Sequence, residues 1–112
     1  MDETFGVTEE SGGRSIVVTL SGEIDVAAAP TVRERLEQAA SRDGTLIVDL
    51  TGVSFIDSTA LGVLIGIHKQ RVGADAGMRL VVSEPRILKV FEITGLTDLF
   101  DIVPSLAEAT NA

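Results

Sequence analysis

Apolar runs of strand length alternate with helical segments along this chain, and this alternation restricts the fold more than any other feature. Thr45–Leu50 (Thr-Leu-Ile-Val-Asp-Leu) is mostly apolar, which is typical of a strand in the interior of a sheet. Val26–Ala40 has apolar residues at helical spacing, with Pro30 near its first turn, and a second helix is expected to begin near Ser58. This order predicts an α/β domain.

The remaining segments extend the same pattern. Strands are expected at Phe5–Thr8, as an edge, at Ser15–Ser21 after a Gly12-Gly13 turn, at Met78–Val82 and at Leu99–Val103. Further helices are expected at Pro85–Ile93, closed by Gly95, and after Ser105, where Ser105 and Glu108 match a capping box. The prediction is one domain over residues 1–112, with a mixed central sheet of about four to five strands and about four helices.

Composition excludes several classes of function. The net charge of −8 and the absence of Trp and Tyr disfavour nucleic-acid binding, which depends on basic and stacking side chains. With no cysteine, the chain has no disulfide framework and no thiolate metal site. The N-terminus lacks a signal-peptide pattern, and no apolar run approaches the ~20 residues of a membrane span. We therefore expect a soluble, cytoplasmic protein with no membrane partner.

A hydroxyl group is predicted at the start of the second helix. Asp57-Ser58-Thr59 are residues that favour helix N-caps, because their side-chain oxygens accept hydrogen bonds from first-turn amides. Ser58 is poorly arranged for nucleophilic catalysis, since the chain has one histidine, His68, and no G-x-S-x-G elbow. His68 continues the inward stripe of this helix and is expected to be partly buried. Ser58 is better suited to phosphorylation, which would bring a charge of about −1.5 to −2.

Two glycines interrupt this helix. Gly62 and Gly66 each cost roughly 0.8–1 kcal/mol relative to alanine in a helix interior. Either the helix packs closely against the sheet at these positions, or they leave a smooth surface for a partner. Periodicity does not separate the two explanations.

Two acidic residues, Glu23 and Asp25, stand two positions apart at the end of a predicted strand. A carboxylate pair can serve acid/base chemistry or a metal, but a metal site needs several convergent ligands and none is spaced nearby. Capping of the next helix by Asp25 and contact with a partner are the preferred interpretations. No metal and no cofactor are expected.

Three segments together resemble the STAS family of anti-sigma factor antagonists. They are Gly22-Glu23-Ile24-Asp25, Ile47-Val48-Asp49-Leu50 and Phe55-Ile56-Asp57-Ser58-Thr59-Ala60-Leu61-Gly62, and the later stretch Arg86–Leu96 also resembles the family's third helix. The most specific element is the family's Asp-Ser-[Ser/Thr]-Gly-Leu-Gly pattern. Here Ala60 replaces the usual glycine, which would add a methyl group close to the serine.

The resemblance implies a partner-switching protein without catalytic activity. The unmodified protein would bind an anti-sigma factor with serine kinase activity and release the sigma factor. Phosphorylation of Ser58 would end the complex, and a serine phosphatase would restore it. Magnesium and nucleotide would belong to the kinase. Carried over by motif position, the partner-binding residues are Glu23, Asp25, Asp57, Thr59, Ala60 and Gly62.

Other interpretations stay open at this stage. Thr59 is a second hydroxyl that could accept phosphate. The domain could also be a STAS interaction module in another signalling or scaffold complex. A third possibility is an enzyme or small-ligand binder that uses Glu23, Asp25 and Ser58, although the chain contains no phosphate-binding G-x-x-x-x-G-K-[ST] loop.

Overall fold

The computed structural model describes residues 5–12 and 14–110, and of residues 9, 11 and 12 it describes the backbone alone. In chain order the elements are β1 (Phe5–Gly12), β2 (Ser15–Ile24), α1 (Ala29–Ala40), β3 (Thr45–Ile56), α2 (Ser58–Gly73), β4 (Met78–Val81), α3 (Pro85–Ile93), β5 (Asp101–Val103) and α4 (Leu106–Thr110). The strands form one sheet in the order β1-β2-β3-β4-β5. β1 is antiparallel to β2, and the other neighbours are parallel. The predicted α/β fold with a mixed sheet is confirmed.

The helices form two unequal layers on the sheet. α1, α2 and α3 cover one face, where the core is built mainly from aliphatic side chains such as Val18, Leu36, Leu64 and Leu80. The short α4 covers part of the other face, where Ala109 packs against Ile47 and Val81. In the described part of the chain, no helix is long and apolar enough to cross a membrane.

Burial along the strands follows their position in the sheet. On β2, the buried Ile16, Val18 and Leu20 alternate with half-buried residues. On the central β3, residues 46–50 are all buried, because helices cover both of its faces there. This explains why Thr45–Leu50 reads as a nearly continuous apolar run.

Several element boundaries differ from the sequence prediction. α1 begins at Ala29 and not at Val26, because the Asp25 Oδ1 atom accepts from the amides of Ala27 and Ala28 at 3.0 and 3.1 Å and holds a turn there. Asp25 therefore stabilises the turn before the helix, and the predicted capping of the helix itself by its side chain is wrong. β1, β2 and β3 are longer than predicted, whereas β4 and β5 are shorter. Gly13 of the predicted turn lies outside the described residues.

Two predicted helix ends are confirmed. Gly95 has a φ of 74° directly after the end of α3, and the Leu96 amide donates to the Phe91 carbonyl at 2.8 Å. This is the left-handed termination that glycine allows. At α4, the Glu108 amide donates to Ser105 Oγ, and Ser105 Oγ donates to the Glu108 carboxylate, both at 3.2 Å.

A buried arginine joins the loops at the amino-terminal ends of the parallel strands. Arg71 is 1% exposed, and its guanidinium donates to the carbonyls of Ala40, Arg42, Gly44 and Gly77. Burial lowers the pKa of Arg71, while the Asp43 carboxylate opposes the shift; an arginine stays charged at neutral pH regardless. In the sequence, Arg71 reads as an ordinary helix residue. Its hydrogen bonds hold together the loops before β3 and β4, at the end of the strands opposite to Ser58.

Candidate functional site

Two β-bulges shape the end of β3. Thr19 is opposite Asp49 but Ser21 is opposite Gly52, and Gly22 is opposite Val53 but Glu23 is opposite Phe55. β3 thus contains one extra residue at each step, and such bulges rotate the side chains that follow. At the second bulge Gly22 has a φ of 80°, a conformation that favours glycine.

The bulges change which side chains of β3 are buried. Val53 and Ile56 are 2% and 6% exposed and join the helix-side core with Leu50. Buried residues therefore recur every third position here, and not every second as in a regular strand. The intervening Phe55 is left 47% exposed.

The register of β2 and β3 brings the two acidic residues to the same edge as Ser58. Ile24 pairs with Ile56, and the Asp57 amide donates to the Ile24 carbonyl at 3.3 Å. Residues 23–26 and residues 55–59 consequently lie side by side at the carboxyl-terminal ends of these strands. We call these two segments the carboxyl edge, and the opposite end of the parallel strands the amino edge.

The start of α2 presents two hydroxyl groups. α2 begins at Ser58, as predicted, with Asp57 as its N-cap, and Asp57 Oδ1 accepts from the Ala60 amide at 3.0 Å. Ser58 and Thr59 are both exposed. Within the described residues neither hydroxyl makes a hydrogen bond, so both are available to an external group.

The one histidine of the chain lies far from Ser58. His68 lies ten residues further along α2, about 15 Å along the helix axis. Its ring is half-buried and packs edge-on against Phe100, with ring centroids 5.3 Å apart, as the helix-packing interpretation predicted. Glu23 and Asp57 share the carboxyl edge with Asp25, but the described residues contain no group of three or more acidic, histidine or cysteine side chains arranged to hold a metal.

The glycines of α2 face open space. A Cβ atom at Gly62 or Gly66 would meet nothing within 4 Å, so the explanation that they allow close packing against the sheet is wrong. Both line a shallow groove of about 220 Å³ between α1 and α2, together with Arg33 and Glu37 of α1. The smooth-surface explanation fits this geometry.

Ala60 is not part of the exposed surface. It is 2% exposed and belongs to the helix-side core. The methyl group of Ala60 therefore faces the sheet, and a contact of residue 60 with a partner stays a prediction. Replacing the family glycine by alanine fills the core and leaves the outer face of α2 unchanged.

Two exposed apolar side chains at the carboxyl edge were missed as functional candidates. Val26 is 67% exposed and Phe55 is 47% exposed, whereas Phe91 and Phe100 are at most 5% exposed. Val26 was assigned to a helix, but it lies in the turn held by Asp25. The signal for Phe55 was the spacing of Leu50, Val53 and Ile56, which places residue 55 outside the core.

Comparisons with known proteins agree with this geometry. The model of the family described as STAS domain matches residues 7–109. The anti-sigma-B factor antagonist of Bacillus subtilis is 40% identical over 98 residues, which are 88% of this chain and 90% of that protein.

Solved structures give the same result. A crystal structure of an anti-sigma factor antagonist from Mycobacterium paratuberculosis has a TM-score of 0.87 and 28% identity, covering 95% of this chain and 91% of that one. The Bacillus cell fate determinant SpoIIAA in its phosphorylated form has a TM-score of 0.74 and 25% identity, covering 95% of this chain and 97% of that one. The chain belongs to the STAS domain family, the family of the anti-sigma factor antagonists.

Proposed function

We propose that this chain is an anti-sigma factor antagonist whose binding is switched off by phosphate on Ser58. The observation that carries the proposal is the exposed Ser58 hydroxyl at the start of α2, beside the acidic carboxyl edge and far from the one histidine of the chain. A hydroxyl in this position needs a kinase to supply the base and the phosphate donor. The protein acts as a substrate and a binding partner, without catalytic activity or a cofactor of its own.

Electrostatics explain why phosphate at this position would act as a switch. The phosphate would add a charge of about −1.5 to −2 to an edge that already contains Glu23, Asp25 and Asp57. Asp57 already occupies the Ala60 amide, so one first-turn donor is not available to the phosphate. A partner whose apolar contact surface covers Ser58 would have to accommodate the bulk of the phosphate and remove the water from a strongly hydrated group. A penalty of ~3 kcal/mol would weaken binding by somewhat more than a hundredfold.

The proposed partner surface consists of the carboxyl edge and the beginning of α2. Glu23, Asp25, Asp57 and Thr59 contribute from the two edge segments, and Gly62 lies one turn beyond Ser58 on the exposed side of α2. Ala60 is left out of this surface because it is buried. The bare backbone at Gly62 would let the partner approach closely.

The partners follow from the family. The names of the relatives describe antagonists of anti-sigma factors, and SpoIIAA is known in phosphorylated and unphosphorylated forms. By analogy, an anti-sigma factor with serine kinase activity would bind the unmodified chain and phosphorylate it, with magnesium and ATP held by the kinase. A serine phosphatase would restore the unmodified form. All of these steps would take place in the cytoplasm.

The proposal is tested by forming the complex between the unmodified chain and its anti-sigma factor, adding Mg-ATP and mapping new phosphate by mass spectrometry. We expect phosphate on Ser58 and release of the partner. Ser58→Ala should bind and remain bound, and Thr59→Ala should behave like the original chain. A complex that never gains phosphate would favour a scaffold role. Phosphate on Thr59 alone would reassign the acceptor, and turnover of a small molecule without a partner would contradict a binding role.

A further inference from the structure

We infer that Phe55 and Val26 form an apolar anchor at the carboxyl edge, which inserts into an apolar cleft of the anti-sigma factor with basic side chains at its rim. The inference rests on the proposed function for the identity of the partner. In this proposal Phe55 and Val26 provide the affinity for the partner, whereas phosphate on Ser58 switches binding off. Affinity and switching can therefore be tested by separate substitutions.

The exposure of Phe55 is a consequence of the backbone and not of a lack of room in the core. The bulge between Val53 and Phe55 keeps Val53 and Ile56 in the core and turns Phe55 outward. Large aromatic side chains usually contribute their apolar area to a core or an interface. In a chain with four phenylalanines, the one at the carboxyl edge is 47% exposed while Phe91 is fully buried.

Val26 is exposed for a related reason. The Asp25 carboxylate holds residues 25–28 in a turn, which keeps Val26 out of α1 and leaves it 67% exposed. The bulge before Phe55 and the turn at residues 25–28 thus leave both apolar side chains exposed. The two residues lie on adjoining segments of the carboxyl edge. Glu23 pairs directly with Phe55 in the sheet register, so an acidic side chain flanks the anchor.

Charge complementarity defines the partner. The ion pair between Arg79 and Asp101 involves no residue of the carboxyl edge. Asp25 and Asp57 accept hydrogen bonds from backbone amides alone, and Glu23 is exposed. Two exposed apolar side chains on an edge that also carries Glu23, Asp25 and Asp57 fit a cleft with an apolar floor and an Arg or Lys rim. They do not fit a second copy of this acidic chain, which would bring the same carboxylates together.

The test measures binding of the unphosphorylated chain to its purified anti-sigma factor by surface plasmon resonance, without ATP, over a range of salt concentrations. Phe55→Ala should weaken binding by about thirtyfold, as expected for a buried aromatic anchor, mainly through a faster dissociation rate. Val26→Ala should weaken it by about fivefold. Glu23→Gln should instead slow association and reduce its dependence on salt.

Matched controls lie at the amino edge, where α2 and α3 end. Val72 and Ile93 are 61% and 74% exposed, and Val72→Ala and Ile93→Ala should leave affinity unchanged. Urea unfolding of every variant checks that the fold is retained. Phe55→Ala protein should still accept phosphate on Ser58 at saturating kinase.

The inference is overturned if Phe55→Ala and Val26→Ala both bind within about twofold of the original chain, or if Val72→Ala and Ile93→Ala weaken binding as much. It is also overturned if Phe55→Ala dissociates a dimer of this chain in analytical ultracentrifugation while leaving partner affinity intact. The proposed function fails separately, if no phosphate appears on Ser58 and partner binding never responds to Mg-ATP.

Discussion

Substitution of Gly62 should change stability and binding in opposite directions. Gly62 is exposed inside the 16-residue helix α2, and an added Cβ would meet nothing within 4 Å. The added methyl group therefore displaces no neighbouring atom in the folded chain. Because alanine has a higher helix propensity than glycine, Gly62→Ala should raise the free energy of unfolding by about 0.8–1 kcal/mol. For a domain of about 100 residues this corresponds to a rise in Tm of roughly 4 °C.

The same substitution should weaken the complex. If the partner backbone approaches residue 62, a methyl group must be accommodated in a closely packed interface, and Gly62→Leu adds still more volume. Overpacking of this kind costs typically 1–3 kcal/mol, which is about a 5- to 150-fold loss of affinity for the leucine variant.

The assay combines thermal or urea unfolding with calorimetric titration of the anti-sigma factor. Gly66→Ala is the matched control, because Gly66 is also in the helix interior and also faces open space, but lies one turn farther from Ser58. It should give the same gain in stability with a smaller loss of affinity. A Gly62→Ala protein that is less stable would refute the packing argument. A Gly62→Leu protein that binds normally would refute the role of the glycine in docking.

Substitutions at three further positions separate structural from binding roles. Asp57→Ala removes an N-cap and should cost about 1 kcal/mol in urea unfolding, whereas Asp57→Asn should keep the cap and change only partner association. Ala60→Gly should cost about 2 kcal/mol, from helix propensity and a lost buried methyl group, with partner affinity unchanged; a tighter complex would show that residue 60 reaches the partner. Arg71→Met should destabilise the fold by about 3 kcal/mol in urea unfolding, because four loop carbonyls lose a charged donor. A loss under about 1 kcal/mol would contradict that role.

Local patterns were sufficient to predict the order of the elements and the start of α2. The apolar run of β3, the helical spacing in α1 and the cap-forming residues Asp57–Thr59 are short-range signals, and each predicts an element that the structure contains, although the bounds of α1 and β3 differ. Gly95 and the Ser105–Glu108 box were predictable for the same reason. Boundaries were less accurate where a side chain stabilises an irregular turn, as Asp25 does before α1.

Features that depend on distant parts of the chain were not predictable. The extension of β3 to Ile56 depends on bulges against β2, and the exposure of Phe55 follows from them. The direction in which Gly62 and Ala60 face depends on how α2 packs against the sheet, which helical spacing alone did not decide. Arg71 looked like an ordinary helix residue, because its carbonyl partners include Ala40, which is distant in sequence.

The phosphate switch at Ser58 is tested by measuring the affinity of the purified anti-sigma factor for a chain that carries phosphoserine at position 58. The matched control carries phosphothreonine at Thr97, an exposed residue in the turn before β5 at the amino edge. We expect a loss of affinity of about a hundredfold or more for phosphate at Ser58 and little change for phosphate at Thr97. Equal affinity of the Ser58-phosphorylated and unmodified chains would contradict it.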